Sequence, residues 1–298
     1  MTEDTASASL WNCKIILPSS AILILATLFL YSKAAAKRRR TLWHSFGRDV
    51  VVLHCPSRGR FAPSMSPFVI KLESYLRLAN ISYKVDFDEP LSPKGKTPWV
   101  TLNGEDLTDS QLAMEILAKK FGKDMSSHLT DEQKAIARAF AVMMDEHLIW
   151  GIRVWRYDTD KCAGFAECME DVPIALKVAM PLYRKKMMDA LWYQGIGRHS
   201  VSEVIDIVRK DLVAISNHLG ENSYLMGNEV SDVDCVMFAH LANIYYNYRR
   251  SPFYIMLKDL CNLEAYIHRL REQLWPDWGL CLQPPNYTRQ KKSTAQKR

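Results

Sequence analysis

Three short groups of residues carry the chemistry that this chain's side-chain types allow. Thr97-Pro98 lies in a turn ahead of an apolar run. An X-Pro bond there can be cis at a cost of only about 0.5–1 kcal/mol, which exposes the backbone N–H and C=O of Thr97 to an extended peptide ligand. Asp109-Ser110 opens a helix, and a helix N-terminus holds about half a positive charge and free N–H groups, which suits a ligand carboxylate near Ser110. Ser66, directly before Pro67, places a hydroxyl at the start of an earlier helix. Each group also has a bland reading: Pro98 shapes a turn, Asp109-Ser110 cap a helix, and Ser66 is an N-cap ahead of a proline at N1.

The remaining reactive side chains say less. Arg58 and Arg60 sit in a loop where they either reach a carboxylate or solvate the loop. Cys55 ends a strand, as a redox thiol or as core. Tyr245, Tyr246, Tyr248, Phe253 and Tyr254 line a pocket or partner surface, or pack internally. The seven cysteines are scattered without C-x-x-C or metal-ligand spacing, so no metal is expected and a reducing compartment is favoured. No Gly-rich phosphate loop or Ser/His/Asp order is present.

The elements that must position these groups follow from local patterning. Val50 to Cys55 reads as a buried strand, and a helix opens at Ser66-Pro67 with Val69, Leu72, Leu76 and Ala79 on one stripe. Ile81, Tyr83, Val85 and Phe87 alternate as a second strand. After an irregular stretch with Pro90 and Pro93, Trp99 to Leu102 and Glu105 to Leu107 form a hairpin about Asn103-Gly104, a dipeptide suited to the φ > 0 pair of a type I′ turn. Thr108 and Gln111 then have the spacing of a capping box. This β-α-β-β-β-α order is thioredoxin-like, with its middle helix missing or reduced.

Beyond Gly122 the patterns are helical. After a cap at Thr130, Ile136, Phe140, Met143, His147, Trp150 and Val154 form one stripe, which makes His147 a core or interface residue rather than a ligand. Helices are predicted from about Pro173 to Gln194, kinked or broken at Pro181, and from Val201 to Leu219. Ser231 and Asp234 form an S-x-x-D capping box ahead of an apolar helix, with Tyr224, Leu225 and Gly227 just upstream.

The 298 residues carry a net charge of +6, concentrated at the ends: residues 1–40 hold +4, the tail from Arg289 to Arg298 holds +5, and the body between holds −3. A nucleic-acid face on the body is therefore not expected. Ile15 to Tyr31 is mostly apolar, about 25 Å long as a helix, and Lys37 to Arg40 follow it. The order of apolar run and basic cluster predicts a single span, residues 15–32, with the body in the cytosol. A cleaved signal peptide ending near Ala34-Ala35-Ala36 and a merely buried helix are the alternatives. The expected organisation is an anchor with basic flank at 1–40, a thioredoxin-like domain at 41–125, an all-helical domain at 126–285 and a basic tail at 286–298.

Thr97-Pro98, Asp109-Ser110 and the Tyr224-to-Asp234 segment resemble glutathione transferases, whose α/β thioredoxin-like half carries a cis-proline and an acid-serine pair and whose all-α half carries a similar Y-L-x-G and Ser-to-Asp cap. The resemblance implies glutathione as a ligand of Thr97, Pro98, Asp109 and Ser110. It also puts Ser66 where Cys-type members have a catalytic cysteine, able to hydrogen-bond a thiolate. SPFVIKLESYLRLANISYKV, KGKTPWVTLNGEDLTDSQLAMEILAKKFG and DEHLIWGIRVWRY look like the failed axon connections proteins, relatives of the metaxins, over about residues 48–283. The most specific points are Ser66-Pro67-Phe68, Lys71-Leu72-Glu73 and Pro98-Trp99. That resemblance implies a membrane-attached transferase-like protein linked to axon development. Trp99 departs from the small aliphatic residue usual after the cis-proline, and the first loop is long; both changes are expected beside the thiol site. An anchored interaction protein with a protein partner or a second copy is therefore favoured over an anchored transferase.

Overall fold

The computed structural model describes residues 23–24, 26–27, 29–31, 33–169 and 174–282. Residues 15–22, 25, 28 and 32 of the expected span lie outside the described residues, as do Cys13, Asn286 and the basic tail. No helix among the described residues is long and apolar enough to cross a membrane.

A four-stranded sheet is built from β1 (Val51–His54), β2 (Tyr83–Asp86), β3 (Trp99–Leu102) and β4 (Glu105–Thr108), in the order β2-β1-β3-β4. β1 and β2 run parallel, whereas β1 with β3 and β3 with β4 are antiparallel. Asn103 (φ 51°) and Gly104 (φ 89°) make the expected two-residue hairpin. α1 (Pro67–Leu78) joins β1 to β2, and α2 (Ser110–Phe121) follows β4. Alternation sends Val51, Leu53, Val100 and Leu102 into one core with Ile70, Leu72, Leu76, Met114 and Leu117.

The opposite face of the sheet holds Val52, His54, Trp99 and Thr101, and no helix forms between β2 and β3 to cover it. A helix over residues 33–44 takes that place. Its Trp43 packs with Val52 and Trp99 and meets the His54 ring edge-on at 4.3 Å. Two of the basic residues behind the apolar segment fix it there: Arg39 pairs with Glu89, with Nη2 2.5 Å from Oε1, and Arg40 is bidentate to Asp106 at 3.1 and 2.7 Å. Trp99 accordingly stacks on His54 at 3.8 Å and donates its Nε1–H to Glu89 O. Its ring lies on the face of the sheet opposite the core shared with α1, packed with Trp43 and Val52.

The helical half contains α3 (Asp131–Met143), α4 (Ile149–Val154), α5 (Ala163–Glu167), α6 (Ile174–Gln194), α7 (Val201–Leu219), α8 (Asp232–Asn247), α9 (Pro252–Asp259) and α10 (Cys261–Leu274). Thr130 caps α3 and Ser200 caps α7 through reciprocal bonds with Gln133 and Glu203. π-helical turns at Met144–Leu148 and Trp155–Thr159 flank α4. The buried stripe runs through Ala137, Ala141, Met144, Leu148 and Ile152, one residue on from the expected one and already so within α3, ahead of the first π-helical turn. His147 is half-exposed and pairs across to a neighbouring helix, with Nδ1 2.7 Å from Asp211 Oδ2 on α7. α6 continues through Pro181 without the expected break. α8 is buried on nearly every side and packs along α1.

Candidate functional site

The strand register explains why three distant stretches meet. His54 of β1 lies opposite Trp99 of β3, which lies opposite Thr108 of β4. The loop to Ser66, the Thr97-Pro98 turn and the Asp109-Ser110 turn therefore all leave from one end of the sheet. Thr97-Pro98 is cis. The Thr97 Oγ1 is buried and has no hydrogen-bond partner.

Both expected caps at this end are corrected. Thr108 belongs to β4, and the N-cap of α2 is Asp109 (φ 80°), whose Oδ1 accepts from Gln111 N at 2.9 Å and Leu112 N at 3.2 Å. Its carboxylate occupies the donors that would draw a ligand carboxylate, beside a buried Ser110. Ser66 does stand at the N-cap of α1 with Pro67 at N1, but its side chain makes no capping bond. The Ser66 N–H donates to Ser64 Oγ at 3.1 Å, and its carbonyl accepts from Val69 N and Ile70 N. The hydroxyl itself is uncommitted, since neither the N2 nor the N3 amide donates to it.

The loop from Pro56 to Met65 is knitted into the helical half. Arg60 N donates to Cys168 O at 2.9 Å, Asn247 Nδ2 to Ser64 O at 3.1 Å, and Arg156 Nη2 to Met65 O at 3.5 Å. Gly59 allows the loop to close on itself, since a Cβ there would meet Ala62 O at 2.6 Å. Ala62, Ser64 and Met65, just ahead of Ser66, are buried. Arg58 does reach a carboxylate, but an internal one: Nη1 and Nη2 donate to Glu73 at 2.6 and 2.8 Å. Burial works against its charge and the Glu73 hydrogen bonds outweigh it, so its pKa is raised. Arg60 remains exposed beside the Phe61 ring. Burial pushes the Cys55 thiol up to about 12, which removes it as a thiolate at neutral pH.

What sequence patterning missed is the polar equipment of α1. Lys71, Glu73 and Ser74 are fully buried, and each holds a different part of the chain. Lys71 Nζ lies 2.5 Å from Asp145 Oδ2, and Asp145 Oδ1 lies 2.9 Å from Nε2 of the buried His240. Burial lowers the His240 pKa against the opposing pull of Asp145. Burial would raise the Asp145 pKa, yet His240 and Lys71 bring it below the usual value. Glu73 also accepts from Tyr83 OH at 3.0 Å, and Ser74 Oγ accepts from Trp275 Nε1 at 2.8 Å. Lys71 and Ser74 thus tie α1 to the helical half, whereas Glu73 holds Arg58 and Tyr83 within its own half. The aromatic series is packing too: Tyr246 and Tyr248 are buried, Phe253 is in the main core, and Tyr245 contacts Tyr246 and Tyr254.

Two cavities stand out among the described residues. One is an open groove of about 710 Å³ beside the N-terminal helix, between Tyr31, Lys37, Leu42 and Asp88. The other is a cleft of about 150 Å³ between Gln111, Lys134, Arg138 and Asp232. Neither is lined by Ser66, Thr97, Pro98 or Ser110.

Family models for the glutathione S-transferase N-terminal domain and C-terminal domain match residues 67–162 and 208–270. Among solved structures the chain is similar to the beta-etherase LigF from Sphingobium sp. (TM-score 0.54, 15% identity, 76% of this chain and 99% of that one). It is also similar to glutathione transferase F7 from Populus trichocarpa (0.51, 12%, 78% and 100%). The sheet, the cis-proline turn and the helical half define a protein with the glutathione transferase fold. Within that class the chain belongs to the failed axon connections family, related to the metaxins. It is 30% identical to Failed axon connections of Drosophila melanogaster over 255 residues, which are 78% of this chain and 60% of that protein's length. Metaxin-2 of Mus musculus is 22% identical over 70% of this chain and 82% of its own. Isoprene-epoxide–glutathione S-transferase of a Rhodococcus species is 29% identical over 71% and 93%.

Proposed function

We propose that this chain is a membrane-anchored interaction protein that keeps the transferase fold without transferase chemistry, and that it serves axon connections as the name of its Drosophila relative states. The observation that carries this reading is the loop from Pro56 to Met65. A transferase must bring a thiol and an apolar acceptor together at Ser66, whereas here the last residues before it, Ala62 to Met65, are buried, with Ser64 and Met65 hydrogen-bonded to the helical half. Asp109 supports the same reading by satisfying the first amides of α2 from within the chain.

Residues 15–32 serve as a single bilayer span with the body in the cytosol, at the endoplasmic reticulum or the outer mitochondrial membrane. The apolar run followed by Lys37 to Arg40 supports this orientation. The pairing of Arg39 and Arg40 with the body would hold the folded part close against the membrane. The partner is a protein or a second copy of this chain, and no nucleic acid is involved.

A second reading, an anchored transferase conjugating or reducing apolar electrophiles with glutathione, draws on the cis Thr97-Pro98 turn, the unpartnered Thr97 Oγ1 and the free Ser66 hydroxyl. Retention of the full chain, in detergent, on immobilised glutathione separates the two. The interaction reading expects passage through the matrix; retention with release by free glutathione overturns it. Topology is tested by protease added to intact vesicles, which should remove the body. A glycan on the exposed Asn80, in the sequon Asn80-Ile81-Ser82, would reverse the orientation.

A further inference from the structure

α6 is apolar on two sides, and only one of them is covered. Its inner side places Leu191, Met180, Met187 and Met188 against a cluster that includes Val154, Tyr157 and Val204. On the outer side Ile174, Val178 and Leu182, one turn apart, are 80, 76 and 75% exposed, and Trp192 and Tyr193 continue the face at 55 and 82%. At about 100° per residue these five side chains span one arc of a helix some 30 Å long. A run of large apolar side chains on one face of a helix marks a surface that meets something.

Charge identifies what it meets. Lys177 and Lys186 lie on the two flanks of the arc, and Lys185 lies within it; all three are exposed and have no carboxylate partner among the described residues. Asp189 is the one carboxylate on the same arc. A lysine inside a dry protein interface would be a buried, unpaired charge, which is costly. At a bilayer surface the same lysine buries its methylene stem and extends its ammonium to the lipid phosphates. Trp192 and Tyr193 are the residue types that settle at the headgroup level.

We infer that the outer face of α6 lies on an anionic membrane surface, with Ile174, Val178 and Leu182 among the upper acyl carbons and the three lysines on lipid phosphates. This contact is separate from the span proposed for residues 15–32 and does not depend on it.

The test uses the full chain in vesicles of phosphatidylcholine with and without phosphatidylserine, carrying a diazirine amino acid at position 182 or, for comparison, at the exposed Ile255 of α9. The expected result is a covalent lipid adduct at position 182 that exceeds the one at 255 and requires phosphatidylserine. That adduct should fall by about tenfold or more in the Lys177→Glu, Lys185→Glu, Lys186→Glu variant. Because these lysines are exposed and unpaired, the variant should keep its unfolding midpoint, and the adduct at 255 should not change. Equal adducts at the two positions, an adduct indifferent to phosphatidylserine and to the lysines, or a cross-link at 182 to a second copy of the chain would each overturn the inference.

Discussion

Ser231 and Ser66 hold the same formal place, each the residue before a buried helix that crosses the middle of the molecule, and they are used in opposite ways. Ser231 is bound into a closed knot. The Asp234 carboxylate accepts from Ser231 N at 2.8 Å, Ser231 Oγ at 3.0 Å, Leu225 N at 2.8 Å and Tyr266 OH at 2.6 Å, all buried. Ser66 keeps an uncommitted hydroxyl at the start of α1, and that helix is held instead by Lys71, Glu73 and Ser74 further along. The start of α8 is therefore purely structural. The start of α1 has given up the capping bond its sequence suggests, and the residues just ahead of it, Ala62 to Met65, are buried against the helical half.

The largest expected effect lies where α1 takes its hold. Lys71→Ala leaves Asp145 buried beside a neutral His240, and removal of one partner of a buried pair costs about 3–5 kcal/mol. Urea unfolding of the full chain in detergent measures it. A loss below about 1 kcal/mol would mean that water reaches Asp145 and that α1 is not clamped there. Asp234→Ala comes next. It orphans the buried amides of Leu225 and Ser231 and the Tyr266 hydroxyl, at about 1–3 kcal/mol for each donor left unmet, so a loss of at least about 3 kcal/mol is expected in the same assay. An unchanged midpoint would dissolve the contrast between the two helix starts.

A smaller, pH-dependent effect follows from His240. Its folded pKa is lowered chiefly by burial, so the unfolded chain takes up a proton that the folded chain resists. Stability should be flat above the ordinary histidine pKa of about 6.5 and fall as pH drops below it. Asp145, with its lowered pKa, contributes a further loss only as pH falls through the carboxylate range. Urea midpoints that stay constant from about pH 7 to pH 5 would contradict the neutral, buried state of His240. The smallest effect is the most diagnostic: Ser66→Ala should shift stability by less than about 0.5 kcal/mol, because no bond is lost, whereas a working N-cap would cost about 1 kcal/mol.

Where the fold was legible, the signals were local. Asn103-Gly104 fixes its hairpin through backbone sterics alone, and the Thr130 and Ser231 boxes close over four residues. The misreadings came from features that only the assembled chain supplies. Thr108 lost its cap to a neighbour whose carboxylate reaches the amides two and three residues on. The stripe through His147 slipped by one residue because the small Ala137 and Ala141 take the inward positions expected of the larger Ile136 and Phe140. Lys71 and Glu73 entered only as points of family resemblance, and nothing local to α1 showed that Asp145, Arg58 and Tyr83 enclose them. Arg39 and Arg40 were read as the flank of a span, and nothing local marked them as the clasp that lays the N-terminal helix over Trp99. Of the candidate site, the register gathers Thr97-Pro98 and Asp109-Ser110 at the sheet end from which the loop to Ser66 leaves, a grouping that the family resemblance implied and local patterning did not. The docking of the loop ahead of Ser66 depends on Asn247, Cys168 and Arg156 and had no local signature.

The most direct test of the account is the rate at which the full chain conjugates glutathione to a generic electrophile, compared between the native sequence and Ser66→Ala. A serine that stabilises a thiolate is worth about 1.5–3 kcal/mol, so its loss from a working site would slow the reaction on the order of tenfold to a hundredfold. The account predicts a rate near the uncatalysed background that the substitution leaves unchanged. Robust conjugation that disappears in Ser66→Ala, with the unfolding midpoint unmoved, would contradict it and make the chain a transferase.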